Sequence, residues 1–264
     1  MRVELLRDTE RPAGWWLMVG ESEQSFVDID DPMHLEFEYV QMMSYVIETA
    51  FREDGPLAAL HLGGGLCTVP RWIAERYPGS PQRVAEASEE IAGLARSLDP
   101  QAKFDLIETD ALAEVERTAA ASLDLIVSDV YLGPETVTSV YPLPALRAAR
   151  AALQEEGLYV CNISDARPFA LAKTVVATLR TVFADVVVLV EPAVLRGRRS
   201  GNLVLAASDL ALDRADLARQ AAGGLVRARV ITDGELDDFV GSATVAQDQA
   251  QLPASGESNV RWLV

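Results

Sequence analysis

The sequence predicts an α/β protein with a Rossmann-like, mainly parallel sheet covered by helices on both faces, and a small β-hairpin region at its N-terminus. Three observations predict this architecture. Short apolar strands alternate with helical patterns from residue 57 onward. The first of these strands ends in three consecutive glycines. Before residue 30, two strand-like stretches flank a short polar turn, as in a hairpin.

The hairpin and one helix come first along the chain. Residues 15–19 and 24–29 are strand-like, and the stretch 20–23 between them supplies the turn. Pro32 then interrupts the second strand. Apolar residues recur at helical spacing over 35–51, which predicts a helix there.

Alternating strands and helices make up the predicted centre of the chain. Strands are expected at 57–62, 83–86, 104–108, 123–129, 157–162, 185–191 and 202–207. Helices are expected at 69–76, 88–97, 143–154 and 168–182, with two more near 213–222 and 233–240. We divide the chain into an N-terminal β-hairpin and helix (1–50), a Rossmann-like nucleoside-binding domain (51–240) and a polar tail (241–264).

The composition argues against several classes of function. An excess of 40 acidic over 23 basic residues gives a net charge of −17, and nucleic-acid binding needs a basic face instead. No apolar run is long enough to span a bilayer and the N-terminus is charged, so we expect no membrane association and a cytoplasmic location. Cys67 and Cys161 lie far apart among apolar residues, which predicts buried thiols and no metal site.

The glycine run Gly63, Gly64 and Gly65 is the first candidate for ligand binding. Glycines let a backbone turn sharply and approach a ligand closely, although a glycine triplet is also typical of an ordinary tight turn. Glu86 ends the second strand 21 residues after Gly65. A carboxylate there can hold two ribose hydroxyls, and the alternative is a surface carboxylate at a strand end. Together the turn and Glu86 indicate a nucleoside site.

Two more carboxylates follow the next two strands. Asp110 could accept a hydrogen bond from an adenine amino group, cap the following helix, or do both. Asp129 ends an apolar strand, where it could orient an amine and remove its proton, or stabilise a turn. Tyr131 could pack on a ligand or on the protein. A nucleoside site needs a carboxylate after each of these two strands, and Asp110 and Asp129 provide them.

These residues resemble the motifs of the spermidine synthase family of aminopropyltransferases, a branch of the class I S-adenosylmethionine-dependent methyltransferase fold. The resemblance runs from about residue 20 to 207. It includes Gln24-Ser25-Phe26-Val27, the segment Leu35-Glu36-Phe37-Glu38-Tyr39-Val40-Gln41-Met42, the glycine run, Glu86, Asp110-Ala111 and Asp129. Plain methyltransferases usually lack the first two of these segments.

The resemblance implies a role for each matched residue. Glu86 would hold the ribose, and Asp110 with Ala111 the adenine, while Gln24 would lie at the nucleoside. Asp129 and Tyr39 would be the catalytic residues near the attacking amine. The family also implies decarboxylated S-adenosylmethionine as co-substrate, a small-molecule amine as acceptor, no metal, and a homodimer.

The chain departs from the family at two acidic positions. Leu66 replaces an aspartate that helps bind the aminopropyl ammonium, and 129–132 lacks the second acid of the family's Asp-Ser-Ser-Asp. Three hypotheses stay open: an aminopropyltransferase, an S-adenosylmethionine-dependent methyltransferase, and a non-catalytic nucleoside-binding relative. In the second, His61 or Arg71 could meet the methionine carboxylate; His61 could equally be a satisfied strand histidine.

Two further segments are ambiguous. Residues 195–202 form a concentrated basic patch, predicted as a hairpin loop that is either solvated or grips an acidic ligand. Asn162 and Asp165 end the fifth strand, where they could line an acceptor pocket or cap the helix near Pro168.

Overall fold

The N-terminal region folds as a three-stranded antiparallel sheet in the structure, a computed structural model that describes residues 2–53, 55–132 and 135–255. Its strands are β1 (Val3–Arg7), β2 (Gly14–Val19) and β3 (Ser22–Asp28). The predicted hairpin is confirmed as β2 and β3, and β1 adds a third strand on the far edge of β2. The helix predicted next is α1 (Glu38–Ala50).

The central sheet has eight strands in the described part of the chain. The remaining strands, in chain order, are β4 (Ala59–Leu62), β5 (Gln82–Glu86), β6 (Asp105–Glu108), β7 (Leu123–Ser128), β8 (Tyr131–Leu132), β9 (Glu135–Thr136), β10 (Leu153–Asp165), β11 (Asp185–Val190), β12 (Gly201–Ser208) and β13 (Arg229–Ile231). Their order in the sheet is β13-β11-β12-β10-β7-β4-β5-β6, while β8 and β9 form a separate small hairpin. The five strands from β10 to β6 pair in parallel, and β12 joins β10 and β11 antiparallel. The Rossmann-like prediction is confirmed.

Helices cover both faces of this sheet, as its alternation of strands and helices predicts. They are α2 (Thr68–Arg76), α3 (Glu89–Leu98), α4 (Ala111–Arg117), α5 (Leu143–Ala152), α6 (Ala170–Leu179), α7 (Pro192–Leu195), α8 (Arg214–Gly223) and α9 (Asp233–Val240). One apolar core lies between the sheet and α4, α5, α6 and α9. A second core lies on the opposite face under α1, α2 and α8. Successive β10 residues therefore point to different cores, because side chains alternate along a strand.

Several elements differ from the sequence prediction. Four short strands (β1, β8, β9 and β13) were not predicted, because two to five residues carry too little periodicity. The basic segment 195–202 does connect antiparallel neighbours, but the connection begins with the single helical turn α7. Of the predicted polar tail, residues 256–264 lie outside the described part, and Ala246 is buried. The division into three regions stays a prediction.

Both cysteines are free and buried, as predicted. Burial raises the pKa of the Cys67 thiol to about 12 and also raises that of Cys161. In the part of the chain that the structure describes, no helix combines the length and apolar character needed to cross a membrane. Within the same residues, no group of three metal-ligating side chains comes together.

Candidate active site

The glycine turn lies at the carboxyl end of β4, pressed against the end of β7. Gly63 has a left-handed φ of +87°, and a Cβ there would lie 2.2 Å from the carbonyl oxygen of Asp129. The Gly63 amide donates to the Ala85 carbonyl at 2.9 Å, and the Asp129 amide donates to the Leu62 carbonyl at 2.8 Å. Only glycine satisfies both the backbone conformation and this close approach. The turn is thereby fixed to the ends of β5 and β7.

Glu86 lies beside this turn, as its place at the end of β5 predicts. One carboxylate oxygen accepts hydrogen bonds from the amides of Gly64 and Gly65, at 3.0 and 3.2 Å. The other oxygen accepts from the Ser88 amide at 2.9 Å. The carboxylate therefore holds the glycine turn in place, a structural role that the sequence did not predict. The predicted contact of Glu86 with a ribose stays a prediction.

The strand β3 completes the wall around the turn. The Ser25 hydroxyl accepts a hydrogen bond from the Leu66 amide at 3.2 Å, and the Thr68 hydroxyl donates to the Phe26 carbonyl at 2.6 Å. In the β2–β3 register Leu17 faces Ser25 while Met18 faces Glu23, so Gln24 is the extra residue of a β-bulge. Gln24 thus lies next to the residue that contacts the turn. Neither spacing nor periodicity indicates that Ser25 contacts the turn, because its partner is 41 residues away.

Asp110 is the N-cap of α4. Its side chain accepts a hydrogen bond from the Ala113 amide at 3.0 Å, so the predicted capping role is confirmed. The residue is exposed, whereas its neighbour Ala111 is buried. An exposed carboxylate at this end of β6 is compatible with an additional contact to adenine, which stays a prediction.

Asp129 is held between two hydrogen-bond donors from distant parts of the chain. The Tyr39 hydroxyl donates to Oδ2 at 2.9 Å, and the Asn162 amide group donates to Oδ1 at 3.0 Å. Burial raises the pKa of Asp129 above its ordinary value, although both hydrogen bonds oppose that shift. Burial and the nearby carboxylate of Asp129 raise the pKa of Tyr39 far above its usual range, so its hydroxyl stays protonated. The carboxylate is fixed in orientation and is a stronger base than an exposed aspartate.

Asn162 was only an ambiguous candidate in the sequence, and the structure places it in the Asp129 cluster. Its side chain is buried, and its Oδ1 has no hydrogen-bond partner in the described residues. A buried unpaired amide oxygen is costly unless a ligand or water pairs with it. The apolar pattern over 157–162 predicts a strand but not this role. The hydrogen bond joins Asn162 to Asp129, which lies 33 residues away in the chain at the end of the neighbouring parallel strand.

Two other candidates have structural roles. The Tyr131 hydroxyl accepts from the Ser164 amide at 2.9 Å and lies 3.4 Å from the Asn162 carbonyl, so it packs on the protein. Asp165 accepts from the amides of Ala166 and Ala172 at 2.8 and 3.0 Å, and thereby pairs amide groups at the start of α6. The capping alternative is the one that the structure supports for Asp165.

Leu66 points into the protein rather than toward the carboxyl edge of the sheet. It is fully buried in an apolar cluster with Leu17 and Val27 from the N-terminal sheet. The position at which the resemblance implies an ammonium-binding carboxylate is thus part of the core. Leucine in place of the implied aspartate removes a charge from this position. It also adds apolar contact between the glycine turn and strands β2 and β3.

Neither residue suggested for a methionine carboxylate is available to one. Arg71 is buried, forms an ion pair with Asp99 and donates from Nε to the Leu66 carbonyl at 3.2 Å. His61 Nε2 lies 2.9 Å from Gln82 Oε1, and burial lowers the pKa of His61 to about 4. His61 is therefore a neutral strand histidine that donates to Gln82.

The basic segment contributes one residue near the site. Arg199 forms ion pairs with Glu191 and with Glu38, and Glu38 precedes Tyr39 in α1. Burial and the nearby Glu38 raise the pKa of Glu191, while Arg199 opposes that shift. The sequence placed this patch in a loop but could not show that one of its arginines contacts the helix that carries Tyr39.

The predicted residues lie along one edge of the sheet because β7, β4, β5 and β6 are parallel neighbours. The glycine turn contacts Glu86 on one side and Asp129 on the other, and the Tyr39 hydroxyl reaches Asp129 from α1. Asp110 and Ala111 follow β6 at the end of this row, and β3, the strand that carries Gln24, contacts the glycine turn through Ser25. The arrangement can hold an elongated polar ligand with Asp129 at one end.

Comparison with known proteins gives the chain's similarities in sequence and fold. No protein-family model matches the chain. Two polyamine aminopropyltransferases of Neisseria meningitidis, from serogroups A and B, are 27% identical over 148 residues, or 54% of this chain and 55% of theirs. That match spans about half the length of the curated relatives.

A solved structure extends the similarity to nearly the whole chain. The crystal structure of a probable spermidine synthase from Corynebacterium glutamicum is 29% identical, with a TM-score of 0.86 over 93% of this chain and 92% of that one. The chain is thus similar to a spermidine synthase over nearly its whole length. This chain also shares its fold with a spermidine synthase in complex with the transition state analogue AdoDATO, at 14% identity and a TM-score of 0.57 over 84% of this chain and 73% of that one. The family resemblance predicted from the sequence is thereby confirmed.

Proposed function

We propose that this protein is a transferase that binds an S-adenosyl nucleoside along the carboxyl edge of its sheet and moves a group from the sulfonium to an amine. Decarboxylated S-adenosylmethionine is the donor implied by the resemblance to spermidine synthases, and an aminopropyl group is then transferred. The observation that carries the proposal is the Asp129 carboxylate, oriented by Tyr39 and Asn162 beside the glycine turn. The names of the relatives support the same class of reaction.

The proposed chemistry needs little more than orientation and a base. The amine nitrogen attacks the aminopropyl carbon next to the sulfonium, the new C–N bond forms, and the C–S bond breaks. The sulfur keeps the bonding electron pair and leaves as neutral methylthioadenosine. Asp129 accepts the proton that the amine loses, which suits a partly buried carboxylate of raised pKa. Tyr39 and Asn162 fix the carboxylate, so its remaining lone pairs can face the amine.

A second candidate is methyl transfer from intact S-adenosylmethionine. It is favoured by Leu66, because this buried side chain leaves the aminopropyl ammonium without the carboxylate that the family provides. Against it, Arg71 and His61 are engaged inside the protein and leave the methionine carboxylate without either partner. We therefore rank aminopropyl transfer first.

Ligand-induced thermal shifts test the binding part of the proposal. Decarboxylated S-adenosylmethionine, methylthioadenosine, S-adenosylmethionine and S-adenosylhomocysteine are each added to the full chain. A ligand at 100 times its Kd stabilises by about 2.7 kcal/mol, which is a rise of roughly 5–10 °C in Tm for a chain of this size. A shift with the first two alone supports aminopropyl transfer, and a shift with the last two alone supports methyl transfer. No shift with any ligand contradicts both.

Mass spectrometry of the products tests the reaction and the role of Asp129. Methylthioadenosine should form from decarboxylated S-adenosylmethionine when amines such as putrescine are supplied. Asp129→Asn should keep nucleoside binding but lower turnover by a hundredfold or more, at roughly the 10²–10⁴ typical of a lost base. Asp105→Asn, on the exposed start of β6, is the matched control and should leave turnover unchanged. Equal turnover in Asp129→Asn would remove Asp129 as the base.

A homodimer is part of the same proposal. The exposed side chain of Leu6 on the outer strand β1 makes the N-terminal sheet our choice of interface. Light scattering on the full chain and on Leu6→Asp checks it. A dimer that becomes a monomer in the variant supports this interface, and a wild-type monomer contradicts it.

A further inference from the structure

A cavity lies away from the Asp129 site, between α6, α7, α9 and β13. We call it the α6–α9 pocket. It has a volume of about 680 Å³ and is lined by Arg167, Pro168, Phe169, Lys173, Leu195, Arg229, Ile231, Glu235, Asp238 and Phe239. Ligand sites for small organic molecules fall in this range of volumes.

The pocket opens on the other face of the sheet from Asp129 and its partners. Phe169, Ile231 and Phe239 belong to the core under α4, α5, α6 and α9. On β10, Cys161 and Ile163 point into that same core, so Asn162 between them points to the opposite face. The α6–α9 pocket is therefore separate from the site in which Asn162 holds Asp129.

The apolar part of the pocket is aromatic. The rings of Phe169 and Phe239 lie 5.9 Å apart between centroids, at an interplanar angle of 32°. Both side chains are largely buried, and Leu195 and Ile231 extend the apolar wall. A flat apolar group can pack against these rings.

The charged part of the pocket contains two cations that have no carboxylate partner in the described part of the chain. Arg167 donates from Nε to the Leu195 carbonyl at 3.3 Å, and no other hydrogen bond of its guanidinium is found among the described residues. The Lys173 ammonium lies 5.7 Å from the centre of the Phe239 ring. Most other arginines in the described residues pair with an aspartate or a glutamate, as Arg180 does with Asp237 and Arg229 with Glu235. Unpaired cations beside an aromatic wall are unexpected in a chain of net charge −17.

The remaining charges fix the sign and size of the ligand charge. Arg229 pairs with Glu235, so these two cancel. Arg167 and Lys173 then face one further carboxylate, that of Asp238, which leaves the lining with a single net positive charge. We propose that the α6–α9 pocket binds a small organic monoanion, a carboxylate carried on a flat apolar group, with the carboxylate at Arg167 and Lys173.

The probe for this proposal is 2-naphthoate, titrated calorimetrically into the full chain in the presence of saturating methylthioadenosine. We expect one site per chain. The neutral 2-naphthylmethanol and the cationic 2-naphthylmethylamine have the same ring system and should bind at least about tenfold more weakly, because a charged hydrogen bond contributes at least that factor. Equal binding of either isostere would overturn the charge assignment. Competition with methylthioadenosine would place 2-naphthoate in the nucleoside site and overturn the separate pocket.

The chain contains only two lysines, which gives a matched pair of variants. Lys173→Gln should weaken 2-naphthoate binding about tenfold or more, and Lys173→Arg should retain it. Lys103→Gln, at an exposed position before β6, should bind as the wild type does. Urea unfolding of each variant separates a folding defect from a binding defect, and Lys173→Arg provides the test if Lys173→Gln is unstable. Unchanged affinity in a folded Lys173→Gln, or no binding by the wild type, would refute the proposal.

Discussion

Gly63→Ala tests how tightly the glycine turn is fixed to Asp129. The added Cβ would lie 2.2 Å from the Asp129 carbonyl oxygen and 2.9 Å from its carbon, and these are backbone atoms that no rotamer change can move. The φ of +87° costs a non-glycine residue about 1–2 kcal/mol. Separating the two segments also weakens the hydrogen bonds from Gly63 to Ala85 and from Asp129 to Leu62, at about 1 kcal/mol or more each. We expect a loss of about 3–4 kcal/mol in the free energy of unfolding.

Gly93→Ala is the matched control, because it adds the same methyl group within α3, where nothing lies within 4 Å of the new atom. It should stabilise the protein by roughly 0.5–1 kcal/mol, since alanine is the better helix former. Urea unfolding at 25 °C gives both values, and a thermal shift with methylthioadenosine shows whether the nucleoside site survives. A Gly63→Ala variant within 1 kcal/mol of the wild type would refute the close approach of the turn to Asp129.

Three further predictions address His61, Glu86 and Leu66. Because the folded pKa of His61 is lowered to about 4 from 6.5, its contribution to stability is present above pH 6.5 and lost as the pH falls to 4. Between pH 7 and pH 4 the wild type should lose about 3 kcal/mol more than His61→Gln in urea unfolding, and parallel losses would contradict this pKa. Glu86→Ala removes the acceptor for the Gly64, Gly65 and Ser88 amides, so it should lower both stability, by about 1–3 kcal/mol, and nucleoside affinity in calorimetry. Glu86→Gln keeps an acceptor for these amides and should retain most of the stability. A Glu86→Ala variant as stable as the wild type would contradict the role of Glu86 in holding the glycine turn. Leu66→Asp introduces the residue type that the resemblance implies, but it buries a charge beside Leu17. It should therefore lower the free energy of unfolding by more than about 3 kcal/mol. The control Leu66→Met should lower it by less than about 1.5 kcal/mol in the same urea assay. A stable Leu66→Asp that binds decarboxylated S-adenosylmethionine more tightly would show that the position faces the ligand.

The sequence was most informative where function depends on local order along the chain. Alternating strands and helices predicted a parallel sheet, and a parallel sheet brings the residues after each strand to one edge. The sequence alone therefore predicts that the glycine turn, Glu86, Asp110 and Asp129 lie along one edge of the sheet. The cap at Asp110 was also predictable, because an N-cap depends only on the next three residues.

Tertiary structure decided the features that depend on distant residues. Asn162 joins Asp129 across 33 residues, and Tyr39 reaches it across 90. The resemblance implied the role of Tyr39, but no periodicity or spacing indicates that Asn162 is the second donor. The buried place of Leu66 is set by the N-terminal sheet, whose third strand was not predicted at all. The α6–α9 pocket likewise combines residues from 167 to 239.

The sequence by itself thus determined the sheet, the edge that carries the candidate site and the chemical type of each residue along that edge, because periodicity and strand ends are local properties. Only the tertiary structure decided which donors hold Asp129, that Glu86 braces the glycine turn, and that Leu66 belongs to the core. These depend on packing between segments far apart in the chain, where a change of one residue in register would point each side chain to the other face of the sheet.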